Sequence, residues 1–100
     1  MIPDPMSTPE PSPLLADLIG QAVVIDMKSQ YVCLGTLVGL DASYLDLVDA
    51  DLHDLRDSTA TREVYVYDSH RLGIRRNRAR VLLLRDEVVA ITRFRDIAES

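Results

Sequence analysis

Tryptophan is absent from this 100-residue chain, phenylalanine and cysteine each occur once, and there are only four glycines. The lone Cys33 excludes an intrachain disulfide. Its place in the apolar run Tyr31-Val32-Cys33-Leu34 marks a small buried thiol in a chain suited to a reducing cytoplasm. No apolar run approaches the ~20 residues that cross a bilayer. The N-terminus is acidic and proline-rich, unlike the basic start of a secretory signal. A nucleophile elbow, a Gly-rich phosphate loop and a repeated Cys/His ligand spacing are also missing. His53 and His70, with Asp51, Asp54 and Asp68 near them in sequence, therefore read as histidines beside carboxylates rather than as a metal site. The chain is expected to be neither an enzyme nor the holder of a cofactor.

What is present fits one small domain, with 47% hydrophobic and 27% charged residues. So short a chain buries a modest share of its surface, and a small β-barrel with exposed edges gains stability from partner subunits. The net charge of −5 excludes a generic cationic coat for nucleic acid, leaving local clusters as the only route to a polyanion.

Residues 1–13 hold all five prolines and no apolar periodicity, which reads as a disordered arm. Ser12 can cap a two-turn helix that has Pro13 at its first position, carries the stripe Leu14, Leu15, Leu18 and Ile19, and ends at Gly20. Alternation of Val23, Ile25 and Met27 with Ala22, Val24 and Asp26 gives a first strand over 21–28. A second runs over 31–40, with Gly35 and Gly39 allowing a sharp bend, and a third over 44–48. Residues 49–78 form an enlarged insertion. Within it a helix over 59–72, capped by Ser58 or Asp57 and stopped by Gly73, is preferred to the strand suggested by Val64-Tyr65-Val66-Tyr67. Two apolar runs over 80–85 and 88–93, separated by Asp86-Glu87, give strands four and five at hairpin spacing.

In that order, Leu18-Ile19-Gly20, Val23-x-Ile25, Gly35-Thr36-Leu37 and Asp41 resemble the first Sm motif, and Leu84 to Ile91 resembles the second. Asp86 stands where the second motif has Gly. The chain is thus similar to the Sm-like (LSm) family over residues 14–48, which hold the first motif, and 79–97, which hold the second, within an expected domain over 14–97 whose insertion is 49–78. The resemblance implies a mainly β fold: a short N-terminal helix and a five-stranded, strongly bent antiparallel β-barrel, assembled into a hexameric or heptameric ring. It also implies single-stranded, U-rich RNA as a partner in ribonucleoprotein assembly or RNA metabolism.

By the same resemblance, Tyr44 stacks on a base, Arg85 contacts base and phosphate, and Asp46, one inserted residue along, stands at the place of a base-reading Asn. A carboxylate accepts hydrogen bonds without donating them. Arg75, Arg76 and Arg78, with Arg71 and Arg80, form a cluster suited to phosphate contacts. Against these readings stand structural ones. Tyr44 can line the barrel, Arg85 can pair with Asp41 or Asp46, and the cluster can pair with Asp49, Asp51, Asp54 and Asp57. The alternative function is accordingly a homo-oligomeric ring that serves as a protein-interaction scaffold without RNA.

Overall fold

The computed structural model describes residues 12–98; the arm expected over 1–13 lies largely outside them. A helix α1 (Pro13–Ala16) leads into five strands: β1 (Ala22–Met27), β2 (Tyr31–Leu40), β3 (Tyr44–Asp54), β4 (Arg78–Leu84) and β5 (Val88–Arg93). A second helix, α2 (Arg62–Leu72), lies between β3 and β4. The strands form one antiparallel sheet in the order β4-β3-β2-β1-β5, so β4 and β5 are its two edges.

β1 and β2 are buried on both faces, which explains why each reads as a nearly continuous apolar run. Val23, Ile25, Cys33 and Leu37 face an inner core completed by Leu45, Leu47, Ala50 and Leu83. Val24, Val32 and Leu34 face the other way, into an outer core closed by Val66 of α2 and flanked by Leu55, Tyr65, Ile74 and Phe94. The insertion is therefore the lid of the sheet's outer face.

The bend falls at Gly35. An added Cβ there would lie 3.0 Å from the Ala50 Cβ, 3.1 Å from the Ala50 Cα and 3.2 Å from the Val48 carbonyl oxygen. The pairing register between β2 and β3 shifts at the same place, between Leu34 and Thr36. Opposite it, Asp49 takes a φ of +50°, a left-handed conformation that Asp tolerates better than branched residues.

Four expectations need correction. α1 is a single turn, and Ser12 makes no side-chain cap. Its continuation tightens to i→i−3 bonds, Leu18 N–H to the Leu15 carbonyl and Ile19 N–H to the Ala16 carbonyl, before Gly20 turns the chain at φ +87°. β3 does not stop at Val48 but continues through Asp54, pairing Leu52 with Cys33 and Asp54 with Tyr31. The residues after Val48, rich in acidic side chains, read as an insertion rather than as a strand. α2 begins at Arg62 with Thr61 as its cap, the hydroxyl accepting from Val64 N–H at 3.2 Å, rather than at Ser58 or Asp57. Finally, β4 and β5 are not a hairpin. A 3-10 turn (Arg85–Glu87) sends the chain from one edge to the other, where β5 pairs with β1.

Replacing Gly35 by Val should lower stability by about 1–3 kcal/mol, because the backbone of β3 must move to admit the side chain. Thermal melting measures this, and an unchanged melting temperature would mean that the two strands do not approach there.

Candidate nucleic-acid interface

Two turns meet at one end of the sheet. In the β2–β3 turn the Asp41 carboxylate oxygen Oδ1 accepts from the Ser43 N–H at 2.8 Å and the Tyr44 N–H at 2.7 Å, while Asp41 N–H donates to the Tyr44 carbonyl at 3.0 Å. This Asx-type closure explains why an Asp ends β2. Those two backbone N–H groups, assisted by the Arg85 guanidinium, hold the Asp41 carboxyl below the usual carboxylate range.

Arg85 then stitches this turn to its own. Its N–H donates to the Ser43 carbonyl at 2.9 Å, and its guanidinium donates to the Asp41 carbonyl. The structural role expected for Arg85 is thus present, through a backbone oxygen rather than the Asp41 or Asp46 carboxylate. An arginine carries five N–H donors, so one such bond leaves others for a ligand. Tyr44, which opens β3 opposite Leu84, is 40% exposed.

Asp46 is one step along β3, and it faces Arg80 of β4 rather than Arg85. Arg80 Nε and Nη2 each donate at 2.9 Å to the two carboxylate oxygens, a fork-to-fork pair. That pair holds the Asp46 carboxyl down and pushes the guanidinium up. A shallow cleft of about 230 Å³ opens between Leu40, Asp41, Tyr44, Asp46, Arg80 and Leu82.

The structure therefore brings Tyr44, Asp46 and Arg85 to one end of β3 and β4. Arg80 had been grouped only with the arginine cluster. Its membership of the cleft follows from the register that sets Asp46 opposite Leu82 and Val48 opposite Arg80, which no spacing along the chain reveals.

Arg75, Arg76 and Arg78 lie apart, after α2 and at the start of β4. Arg76 approaches Asp49 at 3.8 Å, and Arg78 donates to the Asn77 carbonyl at 3.0 Å. Of the other carboxylates proposed as partners, Asp54 is taken by Arg56, which holds it at about 2. Asp51 is buried and bonded to Tyr65 and Asn77. His53 stacks on the Tyr65 ring at 3.8 Å, and His70 lies tilted against Phe94 at 5.3 Å. Both histidines thus help to pack the insertion. Among the described residues, no helix is long and apolar enough to cross a membrane.

No protein-family model and no curated protein matches the sequence. Solved structures do match its fold. A Pyrococcus abyssii Sm protein in complex with a uridine heptamer superposes with a TM-score of 0.57 at 17% identity, over 85% of this chain and 99% of that one. An Sm-like protein from Archaeoglobus fulgidus gives 0.56 at 17% identity, over 87% and 97%. A chain of the NatC complex bound to Gag peptide and CoA gives 0.51 at 20% identity, over 78% and 87%. The chain has the Sm-like fold.

The carboxylates of Asp41 in the turn and Asp46 on β3 should titrate below the denatured-chain value of about 3.9. Because their folded pKa values are lowered, the stability they contribute is complete above that pH and is lost as pH falls through the folded values. Carboxyl 13C shifts followed from pH 6 downward should show Asp41 and Asp46 ionised where a denatured Asp is half protonated. Titration of Asp41 at the denatured value would show that the turn is open in solution.

Proposed function

We propose that this Sm-like chain is a non-enzymatic binding module. It assembles through its β4 and β5 edges into a hexameric or heptameric ring, and it binds single-stranded RNA where the Asp41–Tyr44 turn meets Arg85. The observation that carries the reading is the double tie from Arg85 to Ser43 and Asp41, which locks the turn leading into the exposed Tyr44 to the turn that carries Arg85. Tyr44 supplies a face on which a base can stack, and Arg85 supplies donors to base or phosphate. The Sm protein of like fold that was solved with a uridine heptamer supports RNA as the ligand.

Uracil reading of the family kind has less support. Asp46, at the place of the base-reading Asn, has no donor to offer and already serves Arg80 with both oxygens. Stacking and phosphate contacts therefore carry the affinity, with Arg75, Arg76 and Arg78 beyond the rim as the phosphate contacts. Ring assembly rests on the two edge strands, since each leaves a row of backbone groups that pairing with another copy would satisfy. The buried Cys33, whose thiol burial pushes up to about 12, suits the reducing cytoplasm in which such a ring would work.

The second reading, a ring that scaffolds proteins, has its own support. The net charge is −5, and Arg76 and Arg80 spend their charge on Asp49 and Asp46. A chain of like fold also occurs within the NatC protein complex.

Light scattering should give the mass of a hexamer or heptamer, and a monodisperse monomer at micromolar concentration would remove the ring. Binding of oligo-U and oligo-A at several salt concentrations separates the two functions. Replacing Arg75, Arg76 and Arg78 by Ala should weaken both RNAs alike and flatten the salt slope by up to about 0.7 per lost phosphate contact. Arg85→Ala should instead alter the ratio between the two RNAs. Absence of affinity at low salt in the wild type would favour the scaffold.

A further inference from the structure

Between α2 and the outer face of β1 and β5 runs a groove of about 430 Å³, lined by Val24, Val66, Tyr67, Val89, Ala90 and Ile97. Its rim carries the Asp26–Arg62 pair at 3.5 Å. Its floor ends at β5, an edge strand. Val89, at the start of that floor, is 66% exposed, an uncommon degree for a valine in a strand.

At the opposite edge of the sheet, β4 exposes Leu82 and Leu84, each at 50%. The two edges are complementary in face as well as in type. On β4, Val81 and Leu83 pack into the inner core, so Leu82 and Leu84 point to the outer side. On β5, Val88 and Ile91 pack into the inner core, whereas Val89, Ala90 and Thr92 line the groove on the outer side. A strand added to a sheet edge continues both faces of that sheet. A β4 strand laid along β5 therefore carries its exposed leucines to the side on which α2 stands.

We infer that the groove between α2 and β5 is the seat of Leu82 and Leu84 from a second copy of this chain, so that the insertion helix is a wall of the subunit interface. The inference rests on the ring reading and adds a contact that β4–β5 pairing alone does not contain. The occupant must arrive as a strand, because the groove floor ends on unpaired backbone. The chain's other free edge presents two apolar side chains on the required face. A head-to-tail contact of this kind uses both edges of every copy and closes when the rotation permits. The insertion then has two duties: it covers the sheet of its own chain and receives the edge of the next.

The test is site-directed crosslinking of the full chain. Tyr67→Cys is combined with Leu82→Cys, and separately with Leu84→Cys to allow for either register, and each double variant is treated with a short bismaleimide. The native Cys33 is fully buried and its thiol pKa is raised to about 12, so it stays unreactive. At least one pair should give a ladder of covalent multimers on a denaturing gel. The control pair Val64→Cys with Leu82→Cys should not, because Val64 is exposed on α2 outside the groove lining. Multimers of ring mass by light scattering without a ladder from either Tyr67 pair would overturn the inference and leave the ring standing. A monomeric wild type would overturn both.

Discussion

The close approach of β2 to β3 at Gly35 and Ala50 is the constraint on which the rest of this molecule depends. With 3.0 Å between an imagined Cβ and the Ala50 side chain, the strands meet there so closely that a side chain on β2 would force β3 to give way by a few tenths of an ångström. The sheet can therefore fold over its own inner face. The bend lets ten residues of β2 and eleven of β3 serve two stretches of pairing on either side of a register shift. It also gathers Val23, Ile25, Leu37, Leu45 and Leu47 into one core without a disulfide or a large aromatic at its centre. Small size makes such economy necessary, since a short chain has little apolar surface to bury.

A bent sheet of five strands has a second face, and a polar latch holds the insertion over it. Asp51 is almost wholly buried on β3, where an unpartnered carboxylate would be costly. The Tyr65 hydroxyl donates to one of its oxygens and Asn77 to the other. Asn77 also bridges the Leu52 backbone, donating to its carbonyl at 3.1 Å and accepting from its N–H at 2.9 Å. Desolvation first, and then the Asp51 contact, drive the Tyr65 phenol well above its ordinary pKa, so it remains a donor at neutral pH. At the other end of the insertion, Arg62 donates to the Met27 and Ser29 carbonyls and ties α2 to the β1–β2 turn. Both ends of α2 are thus fixed to the sheet, which holds the helix over its outer face.

The charges follow from the same geometry. A chain of net negative charge meets a polyanion only where its guanidinium groups are unneutralised, and the structure divides them unequally. Arg80 and Arg56 are forked onto Asp46 and Asp54, and Arg76 stands near Asp49. The Arg85 guanidinium is held by a single backbone carbonyl, that of Asp41, and its charge helps to keep the Asp41 carboxylate ionised. Tyr44 and Arg85 thus stand at the same end of β3 and β4, on two turns that are tied together. The two edge strands offer apolar surface and open backbone instead.

The order of one helix and five strands was legible in the sequence because period-two alternation, glycine placement and the two motif-like stretches report local backbone preference. β2 and β5 carry the bounds expected of them, and Gly73 ends α2 where a left-handed residue was required. The candidate rim was legible in part: Tyr44, Asp46 and Arg85 could be named, but not what each of them touches. Tertiary structure alone decided that Arg80 rather than Arg85 takes Asp46 and that the acidic stretch after Val48 continues β3, whereas the edge places of β4 and β5 were expected. It also decided that the insertion covers the outer face. The physical reason is the same in each case. Partners separated by tens of residues are chosen by strand register and by which face of the sheet has room, and neither leaves a periodic trace along the chain.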